Sequence, residues 1–315
     1  MAAQTPAQTP LTAVSVSFRR PRTTAEQIDA PRRITALAAI LIVLLVVLLL
    51  GFIGWNGIQV FTHSHLGLGD LISPSWALTT DPPQYGILPF VFGTLGVMIV
   101  AAVIAAPLSI GLAIFMAEVA PNWARNITRP AMEVFVGIPS VVYGFLGLTI
   151  LVPFLRENFR GVGFTLGFSW LAGSLVLALM ILPTISAIAY DAFIAIPGDL
   201  RSASLALGTT RWQTIRHILI PTARTALLTA IILGMMRAAG EALAVQMVIG
   251  NRPIIPTSLT QPMTTLTSQI TLDMGNTVAG ETANEALWTM GLVLLLMSFG
   301  FVMLVRLLGR RRTVL

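Results

Sequence analysis

This sequence predicts an all-α membrane protein with six transmembrane helices, and three observations lead there. Of its 315 residues 55% are hydrophobic and only 10% are charged, where a water-soluble domain carries about 25% charged residues. Long apolar runs recur along the chain, each able to cross a hydrocarbon layer of about 30 Å at about 1.5 Å per residue. The arginines are spread unevenly over the segments that join those runs.

Residues 1–32 are rich in Thr, Ala, Pro and Gln and read as a disordered tail. The first run, Ile34–Ile53, ends in Gly51-Phe52-Ile53-Gly54-Trp55 without an Ala-x-Ala site, so it reads as an uncleaved helix rather than a signal peptide. Residues 33–86 then hold that helix and an external loop. Residues 87–308 form a core of five further spans, near Ile87–Met116, Ala131–Leu155, Trp170–Tyr190, Thr222–Ile249 and Ala286–Leu308, and residues 309–315 a basic tail. Prolines 89, 107, 139, 153 and 183 fall inside or at the ends of these runs. Lipid tolerates such breaks only where neighbouring helices or a cavity satisfy the freed carbonyls, which suits a bundle around a pathway.

Six spans put both termini on one side. With the termini in the cytoplasm, fifteen of nineteen arginines lie inside, Arg156, Arg160 and Arg252 lie outside, and Arg237 falls within a span. That asymmetry predicts the orientation by the positive-inside rule. The external segments are then Gln59–Gly86, Arg156–Ser169 and Gly250–Glu285. The last is long and polar, and reads equally as short re-entrant structure or as a surface loop.

Composition also excludes functions. Every basic residue is arginine, and a Walker-type ATP site needs a lysine within Gly-x-x-x-x-Gly-Lys-Ser/Thr. If ATP drives this protein, another subunit binds it. The arginines lie in short clusters between apolar runs rather than on one basic face, which argues against nucleic-acid binding. There is no cysteine for a disulfide, a thiolate metal site or a nucleophile. His63 and His65 bring no third ligand near in sequence and read as loop residues. Glu118 and Glu133 read as interfacial.

The cytoplasmic loop, residues 191–221, carries local structure signals. Asp199 is placed to cap a short helix, and Gly208 to end it in a left-handed conformation. Thr210 and Gln213 predict a capping box for a second helix, and Pro221 marks the return to the membrane. Leu205, Leu207, Trp212, Ile215 and Ile218 supply apolar contact area, while Arg201, Arg211 and Arg216 face water or a partner. An amphipathic helix resting on anionic lipid would carry the same pattern.

Arg237 and Glu241 stand four apart in the fifth span and would share one helix face. Intramembrane charges are costly and usually functional. Arg237 suits contact with an oxyanion, because its planar fork matches phosphate bidentately. Glu241 would hold the guanidinium in the empty state and weaken a resident anion; a purely structural ion pair is the other reading. In the third span Gly137 and Pro139 loosen the helix, and Ser140 and Tyr143 then offer hydroxyl donors. Small residues at that place would equally serve close helix packing.

The loop spacing resembles the cytoplasmic motif of ABC-importer permeases. Ser202-Ala203-Ser204 stands at Glu-Ala-Ala, followed by Gly208, Ile218 and Ile220-Pro221. With Gly137-Ile-Pro-Ser-Val-Val-Tyr-Gly-Phe, Arg237-Ala-Ala-Gly-Glu and Met247-Val-Ile-Gly-Asn251, the chain from Ile34 onward resembles the PstC-type phosphate permease subunit. The resemblance implies a type I importer bundle and a coupling helix docked on an ATPase through Ser202, Ala203, Leu205, Gly208, Trp212, Ile218 and Pro221. It implies a substrate pathway along Arg237, Glu241, Ser140 and Tyr143. Its partners would be a second permease subunit, two ATP-binding cassette subunits that use ATP and Mg, and an external phosphate-binding protein, with no cofactor on this chain. Two departures stand out: Ser202 replaces the motif's glutamate, giving up a capping-box bond to a helix started by Asp199, and Ala242-Leu243 replaces Thr-Met. Another oxyanion, sulfate or molybdate, is the alternative cargo; a channel or carrier without an ATPase is the alternative class. A carboxylate able to accept the proton that phosphate carries and sulfate lacks favours phosphate.

Overall fold

The computed structural model describes residues 25–64 and 66–310, with side chains from Arg32 to Leu307. Residues 1–24, most of the expected disordered tail, and 311–315 of the basic tail lie outside the described residues, as does His65. Among the described residues six helices are long and apolar enough to cross a membrane.

The first is α1 (Ala25–Thr62), which starts well before the expected Ile34 and continues past Ile53. The described residues up to Gly51 form one compact unit and those from Phe52 a second. In the first unit every described side chain is exposed. A helix surface of Ile, Val and Leu with no polar face is stable in hydrocarbon rather than water.

In the second unit, α2 (Leu68–Leu71) and the antiparallel pair β1 (Trp76–Ala77) and β2 (Gln84–Tyr85) lead into α3 (Leu88–Ile114). A π-helical turn, Phe115–Val119, ends this span. Then come α4 (Asn122–Gly137), α5 (Ser140–Leu146), a π turn at Gly147–Leu151 and α6 (Val152–Asn158). The fourth span is α7 (Trp170–Ile194). After it stand α8 (Gly198–Ala206), α9 (Arg211–Thr214), a π turn at Ile215–Leu219 and α10 (Ile220–Ala239). The chain closes with α11 (Leu243–Ile249), α12 (Leu266–Asp273) and α13 (Thr282–Arg310).

The central core joins α3 (Val97, Met98, Ala101), α7 (Val176, Ile181, Ile185), α10 (Ala230, Ala238) and α11 (Val245, Val248). Small residues are frequent in it, as expected where van der Waals contact rather than the hydrophobic effect holds helices together in lipid. One flanking cluster gathers Val60, Trp76, Phe90, Leu266, Leu287 and Met290. Another gathers Ala113, Phe193, Ile196, Ile215 and Leu219 at the end that carries α8.

Two expectations change, and one open reading closes. The third span does not run from Ala131 to Leu155: α4 ends at Gly137, Ile138 and Pro139 adopt extended ψ values, and a new helix starts at Ser140. Pro139 has no N–H for a continuing helix and clashes with the turn before it. The fifth span begins earlier and ends sooner than Thr222–Ile249. It runs from Arg211 to Ala239, so Pro221 sits at the first turn of α10 inside a continuous helical path rather than at a return to the membrane. The segment Gly250–Glu285 is not a plain loop. Gly250 bridges Met263, and α12 buries Leu266, Thr267, Ser268 and Gln269.

Candidate functional site

The breaks in the third and fifth spans lie side by side. A Cβ on Gly144 of α5 would stand 2.8 Å from Ala244 Cα and 2.8 Å from Met247 Sδ, so α5 and α11 touch backbone to backbone there. Each break exposes main-chain groups that must be satisfied internally in a membrane. Tyr143, buried in α5, donates its hydroxyl hydrogen to the Phe135 carbonyl of α4 at 2.8 Å. Thr267 of α12 donates to the Glu241 carbonyl at 2.7 Å. The polar segment after Asn251 thus folds back to support the fifth-span break.

These bonds correct two expectations about the site. Arg237 and Glu241 do not share a helix face, because α10 ends at Ala239 with Gly240 as its cap. Among the described residues no ion pair joins them. The Arg237 Nη1 donates to Thr184 Oγ1 at 3.1 Å and the side chain is exposed on the bundle surface. Glu241 accepts the Ala244 N–H at 3.2 Å through Oε1, placing its carboxylate on the start of α11. Favourable interaction with unpaired helix N–H groups holds it there. Its other oxygen has no donor among the described residues. The Tyr143 hydroxyl proton is committed to Phe135, so it holds the break rather than offering a free donor. Ser140 is half-buried, and its hydroxyl makes no hydrogen bond among the described residues.

The second set of residues, around α8 and α9, forms a projecting unit. Gly208 has φ +82°, the left-handed turn that ends α8. Thr210 and Gln213 form the expected reciprocal capping box. Ser204, Thr209 and Thr214 add a hydroxyl cluster, with Ser204 Oγ 2.7 Å from Thr209 Oγ1 and 2.9 Å from Thr214 Oγ1. This cluster ties α8 to α9. Ser202 and Ala203 are exposed, and so are Leu205, Leu207, Trp212 and Pro221; Ile218 is half-buried, and Ile215 is buried in the protein. Exposed Leu and Trp on a solvated projection mark an interaction surface.

Three local expectations differ. The cap of α8 is Pro197, not Asp199, which lies in the first turn. Residue 202 is therefore beyond the capping-box position, and Ser202 bonds back to the Gly198 and Asp199 carbonyls at 3.2 Å each. Arg201 does not face water. Its Nε and Nη2 donate to Glu118 Oε1 at 3.0 and 2.9 Å, and its Nη1 and Nη2 to the Ile196 and Phe193 carbonyls, each at 2.7 Å. One guanidinium thus fastens α8 to carbonyls at and just past the end of α7 and to the π turn that ends α3. Glu118, read from sequence only as interfacial, is its partner. No local signal marks a pair separated by 83 residues.

At the opposite end of the bundle, His63 Nδ1 lies 3.2 Å from Glu285 Oε1, and Ser64 donates to Glu285 Oε2 at 2.7 Å. His63, read as a loop residue, here helps join the end of α1 to buried Glu285 of α13.

Six apolar helices long enough to cross a membrane, two of them broken side by side, with an apolar projection pinned to the ends of two spans, define a multi-pass transport permease. The chain belongs to the family of binding-protein-dependent transport system inner membrane components, matched over residues 109–314. It is 52% identical over 284 residues to the probable ABC transporter permease protein YqgH of Bacillus subtilis, with 90% of this chain and 91% of that protein covered. It is 35% identical over 270 residues to the phosphate transport system permease protein PstC of Xylella fastidiosa, covering 81% of this chain and 82% of that protein. Among solved structures it resembles a bacterial alginate ABC transporter in complex with an alginate pentasaccharide-bound periplasmic protein. There the TM-score is 0.62 at 16% identity, covering 91% of this chain and 97% of that one. That likeness shows the fold. The chain is therefore an ABC-importer permease subunit, a multi-pass inner-membrane protein that works with ATPase and substrate-binding partners, and the self-sufficient channel or carrier is set aside.

Proposed function

We propose that this permease moves inorganic phosphate into the cell, driven by ATP and Mg used on partner ATPase subunits and with no cofactor held by this chain. The observation that carries the reading is Arg237: an exposed guanidinium beside a broken span, fixed by Thr184 and free of any carboxylate among the described residues. Such a fork engages a tetrahedral oxyanion through two N–H groups. Glu241, one oxygen on Ala244 and the other open, accepts the proton that phosphate carries and sulfate lacks. The Xylella fastidiosa relative is a phosphate transport system permease protein, which agrees with this cargo.

In this reading both termini are cytoplasmic, which the excess of arginine on that side supports. The α8–α9 projection docks on an ATPase through Leu205, Leu207 and Trp212, with Ser202, Ala203, Gly208, Ile218 and Pro221 shaping its surface. A second permease subunit completes the pathway, two ATP-binding cassette subunits drive it, and an external phosphate-binding protein delivers the substrate. Closure of the ATPases moves α8, and Arg201 passes that motion to α3 and α7. The permease then alternates between outward and inward access.

The test is uptake of radiolabelled phosphate at low external concentration by cells that lack their own high-affinity importer and express this chain with its operon partners. Saturable uptake that excess sulfate or molybdate leaves unchanged is the expected result. Assembly with the ATPase without phosphate uptake would move the cargo to another oxyanion.

A further inference from the structure

The arginines of α4 stand on the side of the helix opposite its tryptophan, with Arg125 half-buried and Arg129 exposed. Trp123, Ile127 and Val134 fall on one side of this helix and are exposed, while Arg125, Arg129 and Met132 fall on the other. A helix whose apolar side faces outward and carries a tryptophan suits the boundary between hydrocarbon and headgroups. The arginines face the end of α7 instead, across a cavity of about 300 Å³ lined by Met116, Arg125, Asn126, Arg129, Pro130 and Tyr190.

The polar lining of this cavity is rich in donors and lacks carboxylates. Arg125 gives one N–H, on Nη2, to the Ala117 carbonyl at 3.2 Å, which anchors it to the end of the third helix; its Nε is buried without an acceptor among the described residues. Arg129 has a loose contact, Nε to Glu133 Oε1 at 3.8 Å, between two exposed side chains. An exposed pair at that distance binds weakly. Glu133 and Asp191 line the adjoining cavity of about 120 Å³, with Arg129 on the wall shared by both.

We propose that the Arg125–Arg129 cavity binds a phosphate group, with the two guanidinium forks as cations and Asn126 and Tyr190 as neutral hydrogen-bond partners. A tetrahedral anion presents enough oxygens for both forks, which a carboxylate does not. Two sources share this chemistry. One is the phosphodiester of an anionic phospholipid, entering from the boundary that Trp123 marks. The other is free inorganic phosphate: the adjoining cavity reaches Pro183, next to Thr184 that holds Arg237, and Tyr190 lies roughly 9 Å along α7 from Thr184 at 1.5 Å per residue.

The complete complex, purified with its partner subunits in zwitterionic nanodiscs, allows both sources to be tested. Native mass spectrometry reads the retention of added phosphatidylglycerol, and equilibrium dialysis reads the binding of radiolabelled inorganic phosphate. Both are done in an Arg237→Gln background, so that residue contributes to neither. The double substitution Arg125→Gln with Arg129→Gln is expected to reduce retention in one arm about tenfold or more, the effect of losing one charge-assisted hydrogen bond. A loss for phosphatidylglycerol assigns the headgroup; a loss for phosphate assigns the free ion. No change in either arm overturns the proposal. Should the glutamine variant fail to assemble, Arg125→Lys with Arg129→Lys keeps the charge and removes the forks, with an expected loss of about threefold. No loss there overturns it equally.

Discussion

The α8–α9 projection is held chiefly by contacts a few residues apart, whereas the paired breaks at α5 and α11 depend also on residues distant in sequence. In the projection, Gly208 turns the chain, Thr210 and Gln213 cap each other, and Ser204, Thr209 and Thr214 share hydrogens within ten residues. At the breaks, α12 supplies Thr267 to the Glu241 carbonyl from 26 residues away, and α5 meets α11 at Gly144 and Ala244. The difference follows from solvent. Where water is available, local capping decides where a helix starts and stops. In lipid an uncapped backbone is costly, so a break persists only where the rest of the fold has prepared partners for it.

The largest effect is expected at Gly144, where α5 meets α11. Leucine there would push α5 from α11, and overpacking of this kind costs about 1–3 kcal/mol or more. Gly144→Leu is expected to abolish phosphate uptake and to lower the yield of assembled complex, read by size-exclusion chromatography. Normal assembly and uptake would mean that the two broken helices do not depend on close contact.

Arg201 is where the local module meets the distant fold. Its pair with Glu118 is mostly buried, with side-chain exposures of 24% and 17%. Losing one partner of a fully buried pair costs about 3–5 kcal/mol, and partial exposure reduces that to about 1–3 kcal/mol. Arg201→Ala is expected to keep ATPase binding and hydrolysis while uptake falls about tenfold. Adding Glu118→Gln should restore part of the uptake, because it removes the carboxylate left without a partner. Equal loss of uptake and of ATPase association would make Arg201 a folding residue only.

Gly208 carries a smaller effect. A β-branched residue at φ +82° costs about 1–2 kcal/mol, so Gly208→Val should reduce uptake several-fold and Gly208→Asn much less. Uptake ranked the other way would remove the left-handed turn from the account. The smallest effect is expected for Ser202→Glu. The position is exposed and lies past the capping turn of α8, so thermal stability should change within about 0.5 kcal/mol, as for most surface substitutions. A clear gain in stability would restore the capping box that the sequence suggested.

Much of this arrangement was legible in the sequence. The apolar runs marked six spans because period and length in lipid depend on composition alone. Gly208 and the Thr210–Gln213 box were readable because capping is a matter of three or four residues. Pro139 flagged a weak point in the third span, but not that the helix stops there. The end of α10 at Ala239 was not readable, since Arg237-Ala-Ala-Gly-Glu is compatible with an unbroken helix and the partners of the break come from α12. For the same reason the spacing suggested an Arg237–Glu241 face that the fold separates. Glu118 and Glu285 stayed obscure because their partners, Arg201 and His63, are brought close only by packing.

The central claim is that Arg237 engages the transported anion. Its direct measurement is phosphate uptake by Arg237→Gln and Arg237→Lys, with membrane insertion and ATPase association verified for each. Loss of uptake in glutamine, with partial recovery in lysine at higher phosphate concentration, is the expected result, since lysine keeps the charge without the fork. Uptake by Arg237→Gln at the unsubstituted rate and concentration dependence would contradict the claim and leave Arg237 as a structural partner of Thr184.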